Sequence, residues 1–222
     1  MSQAKTFTVV PDIPEDVLEK YLAEDVLAID TELHGLTLHR DQVCLVQISD
    51  RNGLVTLVRP EPPKAPPNLK KLLTAKTVLK IFHYAVSDVA FLEASLGIQV
   101  APFQCTKVMS KLARTYTSTH SLKTLVEELI GITLDKESQS TNWAAPELTP
   151  EQLAYAANDV LYLVQVYEKL TTMLERRGKM PSGISASDLN KQAQDFLPSL
   201  VQLILNGYGD RDSGWEISLF AH

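Results

Sequence analysis

The sequence predicts an α/β domain, and three observations carry that reading. Short apolar runs rich in β-branched residues cluster between residues 26 and 58, at the spacing of strands joined by hairpins. From residue 77 an apolar strand signal leads directly into a helical one, the alternation that α/β architectures require. Beyond residue 105 the apolar residues recur with helical period between recognisable helix starts and stops.

VLAID (26–30) ends in an acid, and VCLVQIS (43–49) is equally short and β-branched. A turn at Arg51, Asn52 and Gly53 leads into LVTLV (54–58), so residues 26–58 read as a three-stranded meander. Pro60, Pro62, Pro63, Pro66 and Pro67 stiffen the next connection, and Asn68 reads as the cap of a short helix over LKKLL. TVLKIF (77–82) is a fourth strand, followed by a helix from Ser87 to Leu96 that Gly97 stops. Thr106 to Ala113 is helical with Val108, Met109 and Leu112 inward, and Ser121 caps a helix that ends at Gly131. Thr149, Pro150, Glu151 and Gln152 combine a capping box with proline in the first helical position, and open a helix running to about Arg176. A last amphipathic helix spans Leu189 to Asn206. The expected division is a main domain over 1–176 and a helical extension over 177–222.

With 222 residues, 45% of them apolar, the chain can bury a core and lacks the composition of a disordered segment. The N-terminus has no signal-peptide pattern and no run approaches the apolar length of a membrane span, so a cytoplasmic protein without a membrane partner is expected. Cys44 and Cys105 sit among apolar neighbours with no partner at ligand spacing, and read as reduced core residues. The net charge of −6 argues against a tight non-specific nucleic-acid binder, whose affinity rests on many Lys and Arg contacts. It is compatible with carboxylates concentrated at a metal site, where bound cations reverse the local sign.

Asp30 and Glu32 are two apart on a strand and so share a sheet face, with Thr31 pointing the other way. They follow a buried apolar run and therefore sit at the strand's carboxyl end, where α/β sheets place ligand sites; a solvated strand end is the plain alternative. Asp88 falls in the first turn of the helix after strand 77–82, a position that the helix dipole alone would explain. Tyr155 and Asp159 lie four apart and share a helical face, while Leu153, Ala157, Val160 and Val164 point to the core. An acid in the middle of so apolar a helix is expensive to bury unpaired. Four converging carboxylates would repel one another unless cations neutralised them, and an all-oxygen set favours Mg²⁺ or Mn²⁺ over zinc. Two such ions about 4 Å apart can drive phosphodiester hydrolysis.

The order D-x-E, H-x4-D, Y-x3-D resembles the three exonuclease motifs of the DEDD superfamily in its tyrosine branch. HRDQVCLVQIS, FQCTKVMSKLARTYTSTHSLKTLVEELIGITLDKESQSTNW, TPEQLAYAANDVLYL and ISLFAH extend the resemblance, over nearly the whole chain, to short bacterial ribonuclease D-like proteins. The resemblance implies a ribonuclease H-like fold with a mixed central sheet, an antiparallel meander plus parallel strands, flanked by helices. It implies a 3′–5′ exoribonuclease acting on single-stranded or 3′-overhanging RNA and releasing nucleoside monophosphates, with two divalent ions, Mg²⁺ or Mn²⁺, as cofactors. Carried over, Asp30, Glu32, Asp88 and Asp159 bind the metals and Tyr155 holds the attacking water. Thr31, Leu33, His83, Lys136 and Gln139 come to lie beside the substrate. Two positions depart from the longer ribonuclease D enzymes: Leu33 stands where they carry Phe, and Cys105 precedes Thr106 where they carry Asp. The chain is also shorter than those enzymes by their helical C-terminal domains.

Lys107, Lys111 and Arg114, spaced i, i+4, i+7, read either as a stripe that tracks phosphates or as a solvated helix face. His34 and His39 lack a third ligand at zinc spacing. A DNA exonuclease would use the same metal site, since sugar choice rests on contacts to the 2′-hydroxyl. A silent nucleic-acid-binding module on the same fold would not need all four acids and the tyrosine. A phosphatase with a nucleophilic Asp would want a second Asp in place of Glu32.

Overall fold

The computed structural model describes residues 7–134 and 142–208. Six strands, β1 (Val9–Val10), β2 (Val26–Leu33), β3 (Val43–Ser49), β4 (Val55–Val58), β5 (Leu79–Phe82) and β6 (Phe103–Cys105), form one sheet in the order β1-β4-β3-β2-β5-β6. The meander β2-β3-β4 is antiparallel, and β1 on β4, β5 on β2 and β6 on β5 are parallel, so the sheet is mixed as expected.

Side-chain alternation along β2 sorts the helices into two layers. Leu27 and Ile29, with Val46 and Ile48 of β3, face a core built by α1 (Glu15–Leu22), α2 (Pro67–Thr74), α3 (Ala85–Leu96) and α8 (Ala186–Leu203). Val26 and Ala28 face the opposite way, against Val160, Leu163 and Val164 of α6 (Pro150–Leu161) and α7 (Leu163–Arg177). A further cluster joins α7 to α4 (Thr106–Ala113) and α5 (Leu122–Ile130) through Met109, Leu125, Val126, Val166 and Leu170. Each such buried Leu, Ile or Val contributes about 1.5–3 kcal/mol.

Several boundaries differ from the sequence reading, each for a physical reason. β2 runs past Asp30 to Leu33 because Asp30, Thr31 and Glu32 continue the ladder with Gln47, Val46 and Leu45. β1 and β6, with two and three residues, are too short to show alternation, and α1 has no side-chain cap to announce it. Asn68 is not a cap: α2 starts at Pro67, and the Asn68 amide instead donates to the Ile13 carbonyl and to Glu15, 2.9 Å each. The helix expected from 150 to 176 is two helices that break at Tyr162, where φ is −108° and ψ −3°. No Gly or Pro marks that break, and each half keeps its own apolar stripe. α8 begins at Ala186, with Ser185 accepting from the Asp188 N–H at 3.0 Å. Cys44 and Cys105 are both free thiols, but Cys44 is only half-buried.

Within the α8 layer, Gln194 clasps the open edge of the sheet. The Cys105 N–H donates to Gln194 Oε1 at 2.8 Å, and Gln194 Nε2 donates back to the Cys105 carbonyl at 3.1 Å. Among the described residues no helix is long and apolar enough to cross a membrane.

Candidate active site

The site forms where β2 passes under α6. Asp30 and Glu32 project from the α6 side of the sheet, and α6 is fixed at its start by the expected capping box. Thr149 N–H donates to Gln152 Oε1 at 2.9 Å, Gln152 N–H donates to Thr149 Oγ1 at 3.3 Å, and Pro150 opens the helix. One turn apart on that helix, Tyr155 and Asp159 meet, the phenol donating to the carboxylate. Asp30, Glu32 and Asp159 each offer an oxygen, and these atoms lie within 4.8 Å of one another.

Asp88 arrives from the other layer. It is buried in the first turn of α3 and accepts a 2.6 Å hydrogen bond from the Thr31 hydroxyl. Thr31 does point away from Asp30 and Glu32, and that direction is what brings it to Asp88. The acids therefore enclose the end of β2 from both faces, three in direct convergence and Asp88 alongside.

Their ionisation reflects this enclosure. Burial, and then the charges of Asp88, Asp159 and Glu32, hold the Asp30 carboxyl well above the usual carboxylate range. Glu32 is pushed up to about 9 by burial and by Asp159 and Asp88. Burial lifts Asp88 and Asp159 to about 7 each, against the hydrogen bonds from Thr31 and Tyr155. A hard divalent cation relieves this repulsion, and the donor set suits one because every donor is an oxygen and none is His or Cys. Among the described residues this is the one group of three or more potential ligands.

Burial, with Asp159 and Glu32 nearby, raises the Tyr155 phenol above its ordinary value, so it stays protonated as a hydrogen-bond donor. Its ring packs against Trp143 with centroids 6.2 Å apart. Trp143, buried with Leu45, Leu57 and Ala156, has no role in the sequence reading. The Asn-Trp pair closing LDKESQSTNW was the available signal, since an isolated Trp after a polar loop needs a wall to pack on.

The remaining expected residues divide. Leu33 sits half-buried at a bulge between Glu32 and Leu33, packed on the α3 side. His83 Nδ1 lies 3.0 Å from Thr106 Oγ1, and burial, with Lys107 nearby, lowers its pKa to about 4, so the ring is neutral. Lys136 and Gln139 lie outside the described residues. The basic stripe is not formed: Arg114 is wholly buried and paired with Glu128, while Lys107 sits 4.5 Å over the Tyr84 ring. His39 is engaged with the Leu205 carbonyl at 3.0 Å. The loop after β2 is tight, since a Cβ on Gly35 would fall 2.2 Å from Asp41 Oδ2.

A family model described as 3′–5′ exonuclease matches residues 10–175. NrnC of Brucella melitensis bound to pGG is similar at 38% identity and TM-score 0.83, over 98% of this chain and 100% of that one; NrnC with bound Mg²⁺ gives 38%, 0.80 and 96% of each. Ribonuclease D of Sphingobium indicum is 30% identical over 69% of this chain, which spans 39% of that relative's length. Escherichia coli RNase D, 23% identical with TM-score 0.73 over 96% of this chain and 56% of that one, shares the ribonuclease H-like fold. A matched model that runs from β1 into the last turn of α7, together with a relative similar along its entire length, settles the kinship: this chain belongs to the 3′–5′ exonuclease family.

Proposed function

We propose that this chain is a 3′–5′ exoribonuclease in which Asp30, Glu32, Asp88 and Asp159 hold two divalent ions, Mg²⁺ or Mn²⁺. The observation that carries the reading is the convergence of three carboxylate oxygens within 4.8 Å beside a protonated phenol. When bound, the ions supply a water of lowered pKa and stabilise the departing 3′-oxygen. Asp30 and Glu32 give the site its rigid base, because both are locked in the β2-β3 ladder. Thr31 holds Asp88 against the end of the same strand. Tyr155 orients the attacking water by hydrogen bonding, and its raised pKa leaves it unsuited to act as a base. The water oxygen bonds to phosphorus as the bond to the 3′-oxygen breaks, and a nucleoside 5′-monophosphate leaves.

The pGG bound to NrnC, a relative matched over nearly all of this chain, supports a short ribonucleotide with a 5′-phosphate as one substrate. Single-stranded or 3′-overhanging RNA is the broader class, and a cytoplasmic location goes with it. The division into an exonuclease domain over 1–176 and an extension over 177–222 belongs to the same reading; the docking of α8 through Leu197 and Val201 supports an extension that packs on the domain.

Chelation is expected to remove activity entirely, with Mg²⁺ or Mn²⁺ restoring it and Zn²⁺ failing to. Turnover that persists after exhaustive chelation would end the metal reading. With end-labelled RNA, loss should begin at the 3′ end, and a closed circular single strand should resist. Cleavage of the circle at a comparable rate would make the protein an endonuclease.

A further inference from the structure

Gln47 is wholly buried, yet neither its Oε1 nor its Nε2 has a hydrogen-bond partner; among the buried side chains of the described residues it is alone in this. Buried amides are almost always satisfied, and an apolar side chain of similar size would serve a core better. The sheet register shows what stands beside it. Gln47 on β3 is the cross-strand partner of Asp30 on one side and of Leu57 on the other. Directly opposed residues of antiparallel strands project from the same face with Cβ atoms about 4.5–5.5 Å apart. Leu45, two residues along the strand on that face, joins Leu57, Trp143 and Ala156 in an apolar cluster. Ser49, two residues the other way, spends its hydroxyl on the Asp50 carbonyl. Asp30 is thus the acceptor that the register places next to this amide.

We propose that Gln47 is a positioning residue for the metal site, its Nε2 donating to the Asp30 carboxylate when that group holds a cation. An ionised carboxylate has about four lone-pair sites, more than a cation takes, and a donor on the remaining oxygen fixes its orientation. Removing such an outer partner typically weakens metal affinity or activity about 10–100-fold. The inference rests on the reading of Asp30 as a metal ligand.

Gln47→Met and Gln47→Leu, both close in volume, test it through Mn²⁺ titration by calorimetry and thermal melts of the metal-free protein. The expected result is metal-free stability equal to or above wild type, Mn²⁺ affinity about 10–100-fold weaker, and turnover recovered at raised Mn²⁺ concentration. Unchanged affinity in both variants would overturn the role of Gln47 while leaving the metal site standing. So would a fall in metal-free stability in both, because the amide would then serve the core. Failure of the wild-type protein itself to bind Mn²⁺ would instead remove the metal reading, and the role of Gln47 with it.

Discussion

Asp159→Asn is expected to abolish turnover while making the metal-free protein more stable. Asp159 is one of the three converging donors, and its charge is, after burial, the largest contribution to the rise in Glu32. Replacing it removes a like charge and keeps an oxygen to accept from Tyr155. The direction with pH follows from linkage. Glu32 titrates near 4.5 when unperturbed and at about 9 in the fold, so between those values the unfolded chain releases a proton that the folded chain keeps. The metal-free protein therefore loses stability as pH rises through that window, and the variant should lose less. At pH 8 in chelator a gain of about 1 kcal/mol would raise the melting temperature by roughly 2–4 °C in a chain of this size. Thermal melts at pH 5 and pH 8, beside an exonuclease assay in Mn²⁺, check both halves. A variant that melts lower than wild type without metal would mean that the carboxylate serves the fold.

Tyr155→Phe should lower kcat by roughly 10- to 1000-fold, the cost of one positioned hydrogen bond in a transition state, with KM and Mn²⁺ affinity little changed. The ring keeps its packing on Trp143, so melting should stay near wild type. Single-turnover kinetics isolate the chemical step. Wild-type rates there would reduce Tyr155 to a packing residue.

The sequence made the site legible wherever local geometry alone decides direction. Alternation put Asp30 and Glu32 on one face and Thr31 on the other, and helical spacing paired Tyr155 with Asp159. The Thr149 capping box placed the start of that helix to the residue. What alternation does not contain is what lies across a layer: Thr31 has a direction in the sequence, but its meeting with Asp88 depends on how α3 docks. Gln47 was hidden in the same way, since an amide in VCLVQIS acquires Asp30 as neighbour only through register. The break at Tyr162 left no mark because neither residue type nor period changes there. Arg114 shows the limit of reading charge as surface: its side chain is wholly buried, and Glu128, fourteen positions on, pairs with it from an exposed position.

The Gln194 clasp bears on how copies of this protein can meet. An outermost strand with free N–H and C=O groups is a template on which another chain can grow a sheet, the usual start of strand-mediated aggregation. At the β6 margin the Gln194 amide occupies both backbone groups of Cys105, acting as a one-residue counterfeit strand. The other margin ends in β1, with two residues to offer. Among the described residues neither margin of the sheet offers a long strand as a template for another chain.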